Sequence, residues 1–179
     1  MSAGRLAPAV ETAAVLALGV VAMHLALTPV ARAVGAWPGP DLVFCLACAW
    51  ALRRPAGAPL WAVVALGLAA DIALDRPVGL GALALVAATE ALRRSAASLR
   101  AGSFLGEWLA VAVLAFAWAL CAHAAMQLVF LDGPGLPALL REAAATALAY
   151  PFVVLLLAWG VGMRLRRSPA PTLRPGRLS

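Results

Sequence analysis

Asp71 lies inside an otherwise apolar run, Leu66-Gly67-Leu68-Ala69-Ala70-Asp71-Ile72-Ala73. In hydrocarbon a carboxylate costs roughly 2.5–3.5 kcal/mol at the centre of a crossing, and less towards the interface. It therefore needs a partner, a cavity or proximity to water. Two readings follow: a contact facing the bundle, a partner or a cavity, or a capped or snorkelling residue near the end of a helix. Asp75 sits one turn on, on the same face, but beside Arg76 and Pro77 it reads as a solvated loop residue. Cys45 and Cys48 have the spacing of a redox or metal pair. No second pair accompanies them, so they read as small, lipid-compatible residues. His24 and His123 stand alone in separate apolar runs and read as packing residues. Glu90 and Glu107 flank a loop carrying Arg93, Arg94 and Arg100, where solvated ion pairs are the simple account. No Ser-His-Asp set, nucleotide-binding glycine loop or His-rich zinc motif occurs. These residues give no expectation of a cofactor or a metal site.

The elements that must position these residues are set by composition. The chain has 179 residues and is 64% hydrophobic, with a mean hydropathy of +0.94. Soluble domains are about half apolar, and a domain of this size still exposes much of its surface. A bilayer is the solvent that fits, so the reading is an all-α polytopic membrane domain over residues 1–166. Residues 167–179 form a basic tail rich in Pro, expected to be disordered and cytoplasmic. The net charge of +6 comes from 14 basic residues, all arginine. They lie between apolar runs and in the tail rather than in one folded patch, which excludes a nucleic-acid reading. Three cysteines inside apolar runs imply no disulfide framework.

Six apolar runs are legible: residues 10–30, 41–52, 59–74, 80–92, 104–131 and 136–163. The first is long enough to cross a hydrocarbon core of roughly 30 Å. Ala31-Arg32-Ala33 after it resembles a signal-peptidase site, but the run is long for a signal sequence and is read as retained. Residues 34–40 form a connector, with Trp37 suited to an interface. The second run spans only about 18 Å as a helix, so it is tilted, extended at its ends or partly re-entrant. Pro151 predicts a kink in the sixth. With the N-terminus in the cytoplasm, six crossings put Arg5, Arg53, Arg54, Arg93, Arg94, Arg100 and the tail arginines inside. That is about 11 of 14 basic residues on the positive side. Arg32, Arg76 and Arg141 fall outside, near Asp41, Asp75, Asp132 and Glu142. Both termini are then cytoplasmic.

The central stretch carries a recognisable pattern. Pro40-Asp41 precedes an apolar run that ends in Trp50-Ala51-Leu52-Arg53-Arg54-Pro55. Gly67, Leu68 and Asp71 follow, then Pro77, Gly79, Ala82 and Leu83 at the start of the next run. This order resembles the MreD family of small integral membrane subunits of the bacterial rod-shape machinery. The match covers about a quarter of the chain. Asp75 stands where that family more usually has Gly or a polar residue, and Val78 replaces Leu.

The resemblance implies a non-enzymatic subunit of the bacterial inner membrane. It implies binding to MreC and association with RodA, a penicillin-binding transpeptidase and, indirectly, the MreB filament, so that lateral peptidoglycan synthesis is organised. Asp41, Trp50, Arg53, Arg54, Pro55, Gly67, Asp71, Pro77 and Gly79 are its motif and candidate partner-contact residues, with membrane lipid as a further contact. Such proteins share their general form with the substrate-binding subunits of energy-coupling-factor transporters. That alternative predicts an outward cavity for a small molecule, lined by Asp71 or His123. A chain with no Asn, one Gln and one Tyr offers few polar groups to build one.

Overall fold

Ten consecutive residues, Val43 to Leu52, are buried. They belong to a twelve-residue helix, Leu42–Arg53, which is apolar on every side, as a helix enclosed by others must be. Cys45, Ala47, Cys48, Ala49 and Ala51 are small, and so let neighbouring backbones approach from several directions. In this computed structural model, which describes residues 8–28, 38–131 and 133–160, the other helices are arranged around that segment.

The order is α1 (Pro8–Leu27), α2 (Leu42–Arg53), a 3₁₀ turn (Pro55–Gly57), α3 (Leu60–Ala73), α4 (Leu80–Arg94), α5 (Ala96–Ala101), α6 (Phe104–Leu128) and α7 (Leu136–Gly160). The described residues contain helices and turns and no strand. The helices α1, α6 and α7 are long and apolar enough to cross a membrane, while α2 and α3 are shorter apolar helices. The six expected runs reappear as helices, and within the described residues their bounds differ from the expected ones by three residues or fewer. The six-residue helix α5 follows α4 directly, with Ser95 ending one and starting the other. The expected tail, the connector as far as Trp37 and the Ala31-Arg32-Ala33 site lie outside the described residues.

End-to-end contacts fix the directions. The start of α1 meets the end of α2 through Glu11 and Arg54, and the end of α2 meets the start of α6 through Arg53 and Glu107. At the opposite end, Arg76 after α3 reaches Asp41 before α2 and Glu142 in the second turn of α7. The six longer helices therefore alternate in direction, with the charged side chains gathered at two ends.

The outward surface is apolar. Val20, Val21 and Leu25 of α1, Leu109, Val113 and Leu120 of α6, and Phe152, Leu156 and Trp159 of α7 are all exposed. A surface so continuously apolar exceeds the patches that soluble monomers show, and fits a membrane protein.

Cys45 and Cys48 are fully buried against protein, and the Cys45 thiol reaches the Thr146 carbonyl of α7 at 3.3 Å. Their small size serves helix packing. His24 is exposed, with Nδ1 2.9 Å from the Val20 carbonyl of its own helix.

Close approach is tightest where α3 meets α4. A Cβ on Gly67 would collide with the backbone of Ala82. Gly106, in α6, has open space at the same position. Gly67→Ala should therefore destabilise the protein by about 1–3 kcal/mol through overpacking. Gly106→Ala should stabilise it by about 0.5–1 kcal/mol through helix propensity. Thermal unfolding of both variants in mild detergent measures the difference, and equal melting temperatures would contradict the packing described.

Candidate functional site

Asp71 occupies the last turn of α3 and is fully buried. Its Oδ2 accepts hydrogen bonds from the backbone N–H of Gly79 at 2.8 Å, Gly81 at 3.1 Å and Ala82 at 3.3 Å. These are amides at the entry to α4, which have no partner within their own helix. One carboxylate from α3 thus caps the next helix, where the aligned peptide dipoles also favour negative charge. The turn between them is built for this. Pro77 accepts from the Leu80 N–H at 3.1 Å, and Gly79 takes φ +94°, a left-handed conformation that glycine enters without a Cβ penalty. Gly81 completes the cradle, because a Cβ there would overlap Asp71 Oδ1. Asp75 has φ +54° and is exposed, on the turn.

Beside this turn Arg76 bridges two helices. Its Nη1 donates to Asp41 Oδ2 at 2.6 Å and its Nη2 donates to Glu142 Oε1. Burial alone would lower the Arg76 pKa, but Asp41 and then Glu142 outweigh it and hold the guanidinium above its ordinary value. Asp41 has a second task as the N-cap of α2, where Oδ1 accepts from the Phe44 N–H at 2.9 Å. Its own N–H donates to Thr146 Oγ1 at 2.9 Å. The start of α2, the α3–α4 turn and α7 are tied at one point.

The opposite end is tied as firmly. Arg53 Nη1 donates to Glu107 Oε1 at 2.8 Å, with both side chains buried, and to the Ala49 carbonyl at 3.2 Å. Tyr150 of α7 donates its hydroxyl to the same Glu107 oxygen at 2.5 Å. Arg53 lies at the end of α2 and Glu107 in the first turn of α6, the favourable signs for both helix dipoles. Glu107 is therefore not a solvated loop carboxylate, as its position in the sequence suggested. It is fully buried, and Arg53 and Tyr150 make that burial tolerable. Arg54 pairs with Glu11 at 3.2 Å in a partly exposed position. Pro55 opens the 3₁₀ turn that follows. Arg93 donates to Glu90 at 2.6 Å and to the Ala58 carbonyl, and this pair is partly solvated.

The nine motif residues thus form two groups rather than one site. Asp41, Gly67, Asp71, Pro77 and Gly79 meet around the α3–α4 turn, while Trp50, Arg53, Arg54 and Pro55 lie at the far end of α2, about 18 Å away by helix rise. Trp50 is fully buried, and its indole N–H has no hydrogen-bond partner among the described residues. Glu107, Tyr150, Glu142 and Gly81 complete these groups and were not singled out by the sequence pattern. A carboxylate in the first turn of a long apolar run and a lone tyrosine inside another were the available signals. A cavity of about 280 Å³ opens near Arg76, walled by Phe44, Leu80, Trp118, Met126 and Leu139. Neither Asp71 nor His123, the residues expected to line an outward cavity, is among its lining residues. Among the described residues no group of His, Cys, Asp or Glu is placed to hold a metal ion. Comparison with known proteins finds no matching family model, curated protein or solved structure.

Two contrasts test this arrangement. Asp71→Leu orphans the entry amides of α4 at about 1–3 kcal/mol each, whereas Asp71→Asn retains an acceptor and should unfold at a temperature much closer to that of the parent protein. Glu107→Leu strands a buried guanidinium and should cost about 3–5 kcal/mol, while Arg54→Gln should cost at most about 1 kcal/mol. Combining Arg53→Met with Glu107→Leu should recover much of the loss. Detergent unfolding curves for the five variants check both orderings.

Proposed function

We propose that this chain is a non-enzymatic membrane subunit of the MreD type, crossing the bacterial inner membrane six times with both termini cytoplasmic. In this reading it binds MreC and helps to organise RodA and a penicillin-binding transpeptidase for lateral wall synthesis, with MreB engaged indirectly. The observation that best supports it is where the motif goes. Asp41, Gly67, Asp71, Pro77, Gly79, Arg53 and Arg54 cap helices, permit close packing or join helices at their ends. A motif used in this way preserves a rigid helical body whose outer faces are left for partners. The alternation of six helices agrees with the arginine bias, since Arg53, Arg54 and Arg93 share one end.

This reading alters the expectation for Asp71. A direct contact with a partner would predict normal accumulation of Asp71→Leu and loss of the complex alone. With three backbone amides dependent on it, the carboxylate acts on partners through the shape of the α3–α4 turn.

Affinity purification from mild detergent, with identification of co-purifying proteins, should recover MreC, and depletion should round or widen the cells. A reporter active only in the periplasm should be active when fused after Leu136 and silent when fused after Ser179. Activity of the Ser179 fusion, or a stable chain that never co-purifies with MreC, would sink the proposal.

A further inference from the structure

We propose that the cavity beside Arg76 binds an organic cation with an apolar body, its ammonium group held by Asp75 and Glu142. The cavity, about 280 Å³, lies between α2, α4, α6 and α7 and is closed at one end by the α3–α4 turn. This volume is near the lower limit of small-ligand sites. Its walls are mainly apolar, and Phe44 and Trp118 present aromatic rings of the kind that attract cations.

The formal charge of its lining is negative: Asp41, Asp75 and Glu142 contribute three carboxylates against one guanidinium, Arg76, which leaves −2. Asp41 has both oxygens engaged, one by Phe44 and one by Arg76. Glu142 uses one oxygen for Arg76. Asp75 has no hydrogen bond or ion pair among the described residues, so its carboxylate and Glu142 Oε2 remain as acceptors. Asp71 does not line this cavity; it lines a neighbouring void of about 20 Å³, too small for such a ligand, which shares Asp41, Phe44, Arg76, Gly81 and Trp118 with it.

An anion is disfavoured because two carboxylates already flank Arg76. A hard metal ion requires six or more converging oxygens, and among the described residues no group of His, Cys, Asp or Glu is placed to hold one. A cation that carries its own apolar surface satisfies both parts of the site. The ammonium could come from a soluble amine or from an aminophospholipid headgroup. The inference does not depend on the partnership proposed above.

The test uses the full chain in an uncharged maltoside detergent, titrated calorimetrically with 2-phenylethylammonium chloride and, separately, with 2-phenylethanol. The amine should bind saturably at one site, and the alcohol should bind about tenfold more weakly or worse, as loss of a charge-assisted contact predicts. Asp75→Asn should weaken amine binding by about tenfold without changing the melting temperature of the unliganded protein, because Asn tolerates the positive φ of that turn. Ala119→Phe, which fills the cavity from α6, should abolish binding. Displacement of the amine by phosphatidylethanolamine in mixed micelles would assign the site to a lipid headgroup, and persistence of amine binding would assign it to a soluble amine. Equal affinity for amine and alcohol, or unchanged affinity in folded Asp75→Asn, would overturn the proposal.

Discussion

A twelve-residue helix enclosed by other helices, with polar groups allowed only at its two ends, is the constraint on which the rest of the structure depends. Buried along ten consecutive residues, α2 has no solvent face to carry charge. Its unsatisfied backbone groups are confined to the first and last turns. Asp41 caps the first turn, and Arg53 returns to the Ala49 carbonyl in the last. Each capping side chain is charged, so each requires a counter-charge from a surrounding helix. Arg76 supplies one and Glu107 the other. The bundle is closed by the needs of the ends of its central helix.

That geometry separates strong from weak interactions. The Arg53–Glu107 pair is out of water, so removing one member leaves an uncompensated buried charge. Arg54–Glu11 is partly exposed and screened, so its contribution is small. Two adjacent arginines with the same formal chemistry thus have different roles, decided by which side of α2 each leaves. Tyr150 reinforces the buried pair from α7 and stacks on Phe104 of α6, with ring centroids 6.5 Å apart. One end of α2 is therefore locked to α6 and α7 together.

The helices were legible because apolar runs bounded by Arg, Pro and Gly leave few alternatives. The α3–α4 turn was legible too, since Pro77 and Gly79 have local backbone consequences. The topology put Arg76, Asp41 and Glu142 on one side, but neither their pairing nor the depth of Glu107 could be read from the sequence. A carboxylate next to an arginine-bearing loop gives the same local pattern whether it points to water or inward. Only the placement of Arg53, 54 positions away in the chain, decides which. The Cys45–Cys48 pair was ambiguous for a similar reason, because a small residue suits lipid and protein equally. What distinguishes them is that α2 is the central helix, a property of the assembly rather than of any segment.

Asp71 shows how a carboxylate that opposes insertion can still be useful. At roughly 2.5–3.5 kcal/mol near the centre of a crossing, and less near its end, an isolated charge is a moderate burden. An isolated α4 entry would carry several backbone N–H groups without acceptors, and each costs about 1–3 kcal/mol when buried. Placing the carboxylate where three such amides converge sets one cost against the other. It also fixes the angle at which α3 gives way to α4. An apolar residue would ease insertion and leave the turn undefined. The same turn positions Arg76 for Asp41 and Glu142, so the direction of α4 and the anchoring of α2 come from one short segment, residues 71–82.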